Sequence, residues 1–537
     1  MSMKEFLTGV LGIAVYEEQR DFVTATVVRE KFADTIDELV NARGLVAGED
    51  NGLGVNRLAG IGLTLAHLYA TDDRLTQATF GVHALLHDNA HQIWFLLSTK
   101  LPEADPSYPS VTRRVTAAHV YERWLFDMFG IEAIGHPDLR RLVHHENMPV
   151  GNFPLRKDFV WNAKIEQANL DYPMPEVTGV GVCQVPIGPM QAGMIEPGHF
   201  CLNVAGERIL TLESKQFFTH KGIEKLLEGK TIDTALPYVE RIAGDAAGSH
   251  ALAFAQAVEA LANCQISQRA RCIRTVICEL ERMTTHIHDL AAIGGLGAGY
   301  TILSAQGFRL KERLMRLSDD LIGNRFWRGL IIPGGVSRDI NINEMRHINI
   351  VVTDVVEEML EVINLALGSD GFCDRLETTG VLTKDAGLAY GAVGIVARAS
   401  GLDRDVRRDQ PYAAYAQFIP AIAVKTAGDV HARFILRADE LKDSLRLIQE
   451  IFKAPGEGEP RTVCTPLDGR ALGAVEGARG EIIHLVYLRG GKFERYVIRD
   501  PSFCNSPILS AITPGNLVSD WGLCQLSVSS SYSGTDL

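Results

Sequence analysis

The chain has 537 residues, 46% of them hydrophobic, and a formal net charge of −13. That length and apolar content support a large core divided between two or more domains. The acidic balance argues against nucleic acid, whose phosphates call for a basic face, and no stretch reaches the roughly 18 uninterrupted apolar residues of a membrane span.

The opening MSMKEFLTGVLGIAVYEEQR holds an apolar run too short for a secretory core and lacks a small-residue cleavage site. From there to about residue 108, segments such as GIGLTLAHLYA and HQIWFLL read as strands among helices in a small α+β domain. In VTAAHVYERWLFDMFG, Ala117, Tyr121, Trp124, Leu125 and Met128 recur at helical spacing, and Gly130 ends the helix. The turn GHPDLRR and the segment PLRKDF follow, and the polar, proline-bearing residues 161–180 read as a linker between domains.

Beyond the linker, FCLNVAGERILTLESKQFF reads as a hairpin turning at Gly206, and the pattern then becomes mainly helical. Ile273, Val276, Ile277, Leu280 and Met283 line one face of a core helix. Further helical patterns run through QGFRLKERLMRLSDDLIG and NEMRHINIVVTDVVEEMLEVINLAL. The segment GAVEGARGEIIHLVYLRGGKFERYVIRD reads as a hairpin turning on Gly490 and Gly491. The run GGLGAGY follows a helix, not a strand, so it supports a dinucleotide loop weakly. Nine cysteines are scattered singly, with no CxxC pair. They suit buried thiols in a reducing, cytoplasmic compartment and disfavour a thiolate zinc or a cysteine-held iron–sulfur cluster within this chain.

The motifs ERWLFDMFGI, GHPDLRRL and PLRKDF, in this order, resemble the 30-kDa subunit of complex I, the proton-pumping NADH:quinone oxidoreductase. From Pro186 onward the chain is similar to the 49-kDa subunit of complex I and to the large subunit of membrane-bound [NiFe] hydrogenases. The residues carrying this are IGP (187–189), EPGHF, FFTHKGIEKL, RIAGDAAGSH (241–250), IPGGVSRDI, ARASGLDRDVRRDQPYAAY, KTAGDVHAR and VEGARGE. Both parts fused in one chain resemble the large subunit of formate hydrogenlyase-type, energy-converting hydrogenases. The resemblance implies an α+β fold: a 30-kDa-like domain over residues 1–160, a linker over 161–180, and a mainly helical 49-kDa/hydrogenase-like domain with a peripheral sheet over 181–537.

A [NiFe] centre takes four soft thiolate ligands. In the hydrogenase pattern they fall here at Ala243 and Ala246, and at Ser502 and Asn505, with Cys504 one residue out of place. The flanking Arg241, Gly244, His250, Asp500 and Pro501 stay in register, so a hydrogenase active site is excluded on ligand count. In complex I the same cavity holds a quinone head group between a His and a Tyr. Those positions are Gln191 and Gly244 here, and neither can deliver a proton.

The resemblance leaves Gln191, Arg241 and Gly244 around an acceptor cavity. Asp245 is a candidate acid if burial raises its pKa, or otherwise a helix cap or a solvated loop residue. His250 is either a redox-site acid or a structural histidine bonding to the C-terminal loop. His286 and His288 point to different helix faces and so should not share a metal. Asp403 to Tyr412 reads as a solvated charged loop or as an interface, and Glu476, Arg479 and Glu481 as members of a buried charge network.

The implied partners are an iron–sulfur small subunit like the 20-kDa subunit of complex I, a ferredoxin-like iron–sulfur subunit, and membrane subunits of the complex I or antiporter type, with no nucleic acid. Such a chain is a cytoplasmic oxidoreductase subunit, peripheral on the inner face of the cell membrane. It takes electrons from a partner's [4Fe-4S] cluster to a quinone or an unidentified acceptor; the alternative is a redox-silent coupling scaffold. The chain continues for 32 residues past Asn505 (537 − 505). With no nickel to license processing, this tail should persist, with Leu523, Leu526 and Val528 packed back as a short strand.

Overall fold

The computed structural model describes residues 15–19, 22–41, 63–88, 92–190 and 196–537. It is a mixed fold, 44% helical and 19% strand, and the chain separates into two compact units near residue 173.

The N-terminal unit is built on a five-stranded sheet in the order Val15–Gln19, Phe22–Thr26, Ile93–Pro102, Thr79–Asp88, Thr64–Asp72. Neighbours are antiparallel except Phe22–Thr26 beside Ile93–Pro102. Leu85 pairs with Leu96 at its centre, and both are fully buried. Burying one such side chain contributes roughly 2 kcal/mol. Helix Arg29–Asn41 buries Phe32, Ile36 and Leu39. Helix His119–Phe129 buries Tyr121, Trp124, Leu125 and Met128 and stops at Gly130, whose φ of 68° closes the helix in the left-handed region. Ala117, expected to open that helix, lies in a short 3-10 turn before it.

The C-terminal unit is a helical body around Gln268–Ala291, whose expected core face is buried throughout. Helices Ala247–Leu261, Thr301–Ile322, Ile342–Leu367 and Val430–Lys453 belong to the same core. Two small antiparallel sheets flank them. One comprises Val182–Ile187, His199–Ala205 and Arg208–Lys215, with the expected turn at Gly206. The other is a three-stranded meander, Gly469–Gly477, Gly480–Arg489 and Lys492–Arg499. The hairpin at Gly490 and Gly491 is its second turn; the strand before Arg479 extends the sequence reading. This sheet lies against Ala247–Leu261 because Gly473 has no side chain: a Cβ there would sit 1.9 Å from the Ala253 carbonyl oxygen.

The first four residues of the GGLGAG run, 294–297, close a π-helical turn, Ala292–Gly297. Cβ atoms at Gly294, Gly295 and Gly297 would approach Leu303, Ser304 and Leu523 to 2.3, 1.9 and 2.7 Å, so these glycines serve packing. The tail differs from the expected strand. Trp521–Val528 is a helix, with Leu523 and Val528 buried and Leu526 packed on the core. The three-residue step from Leu523 to Leu526 suits a helical face better than a pleat.

Candidate functional site

The loop 241–246 runs into helix Ala247–Leu261 and faces the turn at Arg479, the segment after Asp500 and the tail. Ala243 is fully buried, and Ala246 is 9% exposed. Ser502 and Asn505 belong to the short helix Pro501–Asn505, which Asp500 caps by accepting from the Ser502 N–H at 2.7 Å. The Ser502 Oγ accepts from the Ser531 N–H at 3.0 Å. Asn505 Nδ2 donates to the carbonyls of Val393 and Arg479, and its Oδ1 accepts from the Val393 N–H. Two methyl groups, a hydroxyl and an amide thus stand where four thiolates would be required, and both polar side chains are tied to backbone. This donor set does not fit a nickel–iron centre. Among the described residues, no group of three or more His, Cys, Asp or Glu is arranged to hold a metal.

Asp245 is bound to Arg479, with Nη2 to Oδ2 at 2.7 Å. Burial pushes its carboxyl up, but the guanidinium outweighs burial and holds the pKa below the ordinary carboxylate range. The expectation of a raised pKa is therefore corrected: Asp245 is held ionised, not poised as an acid. Nor does it cap the helix, because that position is Ala246. Glu281 performs the capping, accepting from the N–H groups of Gly248 and Ser249 at 2.7 and 3.0 Å and from the Ser249 hydroxyl. Burial raises this carboxyl to about 7.

Arg479 also donates through Nε to the Ser529 carbonyl in the tail. The Ser529 hydroxyl donates to Asp289 Oδ1 at 2.7 Å, and Arg437 Nε binds Asp289 Oδ2 at 3.0 Å. The tail therefore passes through the neighbourhood of the absent ligands and is held by charged groups there. On the same helix as Asp289, His288 receives Lys311 Nζ at 3.3 Å. Burial lowers both pKa values.

His250 is fully buried. Its Nε2 lies 3.1 Å from Asp500 Oδ2, its Nδ1 lies 2.9 Å from His484 Nε2, and His484 Nδ1 lies 2.7 Å from the Tyr496 hydroxyl. The Asp500 carboxylate, which burial alone would raise but the His250 hydrogen bond keeps low, accepts only. His250 Nε2 therefore donates, His250 Nδ1 accepts, and both rings can be neutral with every nitrogen satisfied. Burial holds His484 well below its ordinary pKa. Gln191 lies outside the described residues, Arg241 is exposed, and Gly244 is partly buried.

Glu476 belongs to a buried network. Arg398 reaches Glu476 at 3.0 Å and also binds Glu440, Arg282 reaches Glu440 at 3.1 Å, and Arg407 binds Asp405 and Glu279. His286 joins through Glu440 at 2.8 Å, while His288 faces elsewhere. Three arginines face four carboxylates, and Glu476 is raised to about 7 by burial and then by Asp405. Within the expected solvated loop, Asp405 and Arg407 are thus interior residues; Arg408 and Asp403 form the partly exposed pair. Glu481 binds Arg499 separately at 2.5 Å. The sequence reading missed Asp289, Lys311, Ser529 and Glu281, because each meets the loop only through tertiary packing.

The fold and this loop define a fused large subunit of the complex I and [NiFe] hydrogenase type. The chain matches the models for the respiratory-chain NADH dehydrogenase 30 Kd subunit over residues 57–164 and 49 Kd subunit over 297–465, and for nickel-dependent hydrogenase over 221–293. It is 30% identical to hydrogenase-4 component G of Escherichia coli strain K12 over 482 residues, covering 87% of this chain and 83% of that one. It is 31% identical to formate hydrogenlyase subunit 5 of the same organism over 484 residues, covering 88% and 84%. The chain belongs to this family. A chain from the solved membrane-bound sulfane sulfur reductase, an archaeal respiratory membrane complex, is also similar, with a TM-score of 0.63 and 26% identity over 67% of this chain and 99% of that one. No helix among the described residues is long and apolar enough to cross a membrane.

Proposed function

We propose that this chain is the electron-delivering large subunit of a membrane-associated, ion-translocating complex, and that it reduces an acceptor other than protons on nickel. Electrons reach the loop 241–250 from a [4Fe-4S] small subunit, fed by a ferredoxin-like subunit, while antiporter-type membrane subunits anchor the complex to the inner face of the membrane. The observation carrying this reading is the exchange of a thiolate set for a charged one. Ala243, Ala246, Ser502 and Asn505 offer no soft donor, and the loop beside them carries the Asp245–Arg479 pair.

Arg241 and Gly244 border the acceptor cleft. Asp245, being ionised, sets its charge; His250 anchors the loop to Asp500. A quinone is one acceptor. Sulfane sulfur, named for the archaeal complex, is another. Purifying the assembled complex and titrating it with decylubiquinone and with tetrasulfide tests the reading: reoxidation of the iron–sulfur clusters by either supports it, and reoxidation by neither refutes it.

A second reading, a redox-silent coupling scaffold, draws on the network around Glu476. A buried carboxyl titrating near 7 can change charge inside the chain without any acceptor at the loop. That reading predicts clusters that neither acceptor reoxidises.

A further inference from the structure

Gly244 borders a second set of cations besides the Asp245–Arg479 pair. A Cβ built there would meet a single heavy atom within 4 Å beyond its chain neighbours, Arg328 Nη2 at 3.8 Å, so the space is open. Arg328 is presented by a constrained segment. Trp327 is 4% exposed and holds a φ of 58°, which a bulky residue adopts only where its surroundings impose it. The next residue, Gly329, has a φ of 77° and donates its N–H to Glu240 Oε1 at 2.5 Å. The Arg328 guanidinium lies 5.2 Å from the Phe326 ring centre. Its Nε is buried without a hydrogen-bond partner.

Arg241 is the neighbouring cation, its Nη1 donating to the Pro237 carbonyl at 2.6 Å. Burial and Arg241 both disfavour the charge on Arg328. Neither arginine has a carboxylate oxygen within 4.0 Å among the described residues; Glu240, which acts on both from further away, uses Oε1 on Gly329. Two neighbouring like charges beside an open notch are an unfavourable arrangement that an anion reaching the Arg328 Nη2 edge would relieve.

We infer that Gly244, Arg328 and Arg241 form a binding notch for a small, multiply charged anion, and that the acceptor of this complex is of that class and not a neutral quinone. The inference rests on the reading of loop 241–250 as the acceptor cleft. Arg328 supplies directed N–H groups, Arg241 adds charge at the rim, and the missing side chain at residue 244 makes the room.

The test is calorimetric titration of the purified complex with sodium thiosulfate, and separately with sodium sulfate, at ionic strength matched with sodium chloride. One site per chain is expected. It should weaken about tenfold or more in Arg328→Gln, through loss of a charge-assisted contact. It should be lost in Gly244→Val, which fills the notch and keeps both arginines. The valine variant serves if Arg328→Gln fails to assemble, since a Cβ at 244 meets only ordinary contact. Tighter binding of thiosulfate identifies a sulfur anion, and equal binding an oxyanion site. No saturable binding, or equal binding in wild type and both variants, overturns the inference. A complex that reduces decylubiquinone but binds neither anion refutes the notch and keeps the proposed function. One that binds thiosulfate but passes electrons to no acceptor does the reverse.

Discussion

Replacing Arg479 by Met should loosen the tail from the site while leaving the helical core intact. The side chain is one-tenth exposed and makes two contacts, to Asp245 Oδ2 at 2.7 Å and to the Ser529 carbonyl. The Asp245 carboxylate is 39% exposed, so solvent screening limits that pair to about 1 kcal/mol. The charge-assisted bond to Ser529 contributes about 1.5 kcal/mol. The sum, about 2.5 kcal/mol, corresponds to a roughly 70-fold increase in local opening. Asp245→Asn removes only the first part, so roughly fivefold is expected. Hydrogen exchange of the assembled complex, read by mass spectrometry on peptides covering residues 521–537, measures both. Residues 270–283 of helix Gln268–Ala291, away from the Asp289 contact with Ser529, serve as the internal reference, since they should not change. Tail exchange within about threefold of wild type in Arg479→Met would mean that this arginine does not fasten the tail.

Gly295→Ala forces a Cβ to 1.9 Å from that of Ser304 and should lower stability by about 1–3 kcal/mol through overpacking, visible as a reduced urea midpoint; an unchanged midpoint would contradict the packing role of the GGLGAG turn. Burial lowers the His119 pKa to about 4, below its ordinary 6.5, so the neutral ring is favoured in the folded state. Its contribution is complete above about pH 6.5 and is lost as pH falls towards 4. The thermal midpoint should drop across that window, and His119→Gln should flatten part of the drop. Intact-mass measurement of the natively expressed chain should find residues 506–537 retained, because Leu523, Val528 and Ser529 are built into the core and the site; a mature form ending near Asn505 would mean that processing still occurs.

What the sequence makes legible follows from locality. The helix ending at Gly130, the turn at Gly206 and the core face from Ile273 to Met283 each depend on residues a few positions apart, and the structure keeps all three. Ligand loss at Ala243, Ala246, Ser502 and Asn505 is equally plain, since it needs only register. The state of Asp245 is not legible, because the group that decides it, Arg479, lies 234 residues away. Burial alone predicts a raised pKa, and only the fold reveals the guanidinium that reverses it. Likewise Asp405 and Arg407 read as a solvated run until Glu279, Arg398 and Glu476 are brought around them. The tail fails for a different reason: three apolar residues within six positions fit a strand or a helix, and packing against Gly297 and the core selects the helix.

The most direct test of the central claim is a joint measurement on the purified complex: nickel content per chain, and reoxidation of its reduced iron–sulfur clusters by tetrasulfide or decylubiquinone. The account predicts no stoichiometric nickel, no hydrogen evolution and cluster reoxidation by an added acceptor, lost or weakened when the notch is filled by Gly244→Val. About one nickel per chain accompanied by hydrogen evolution would contradict it.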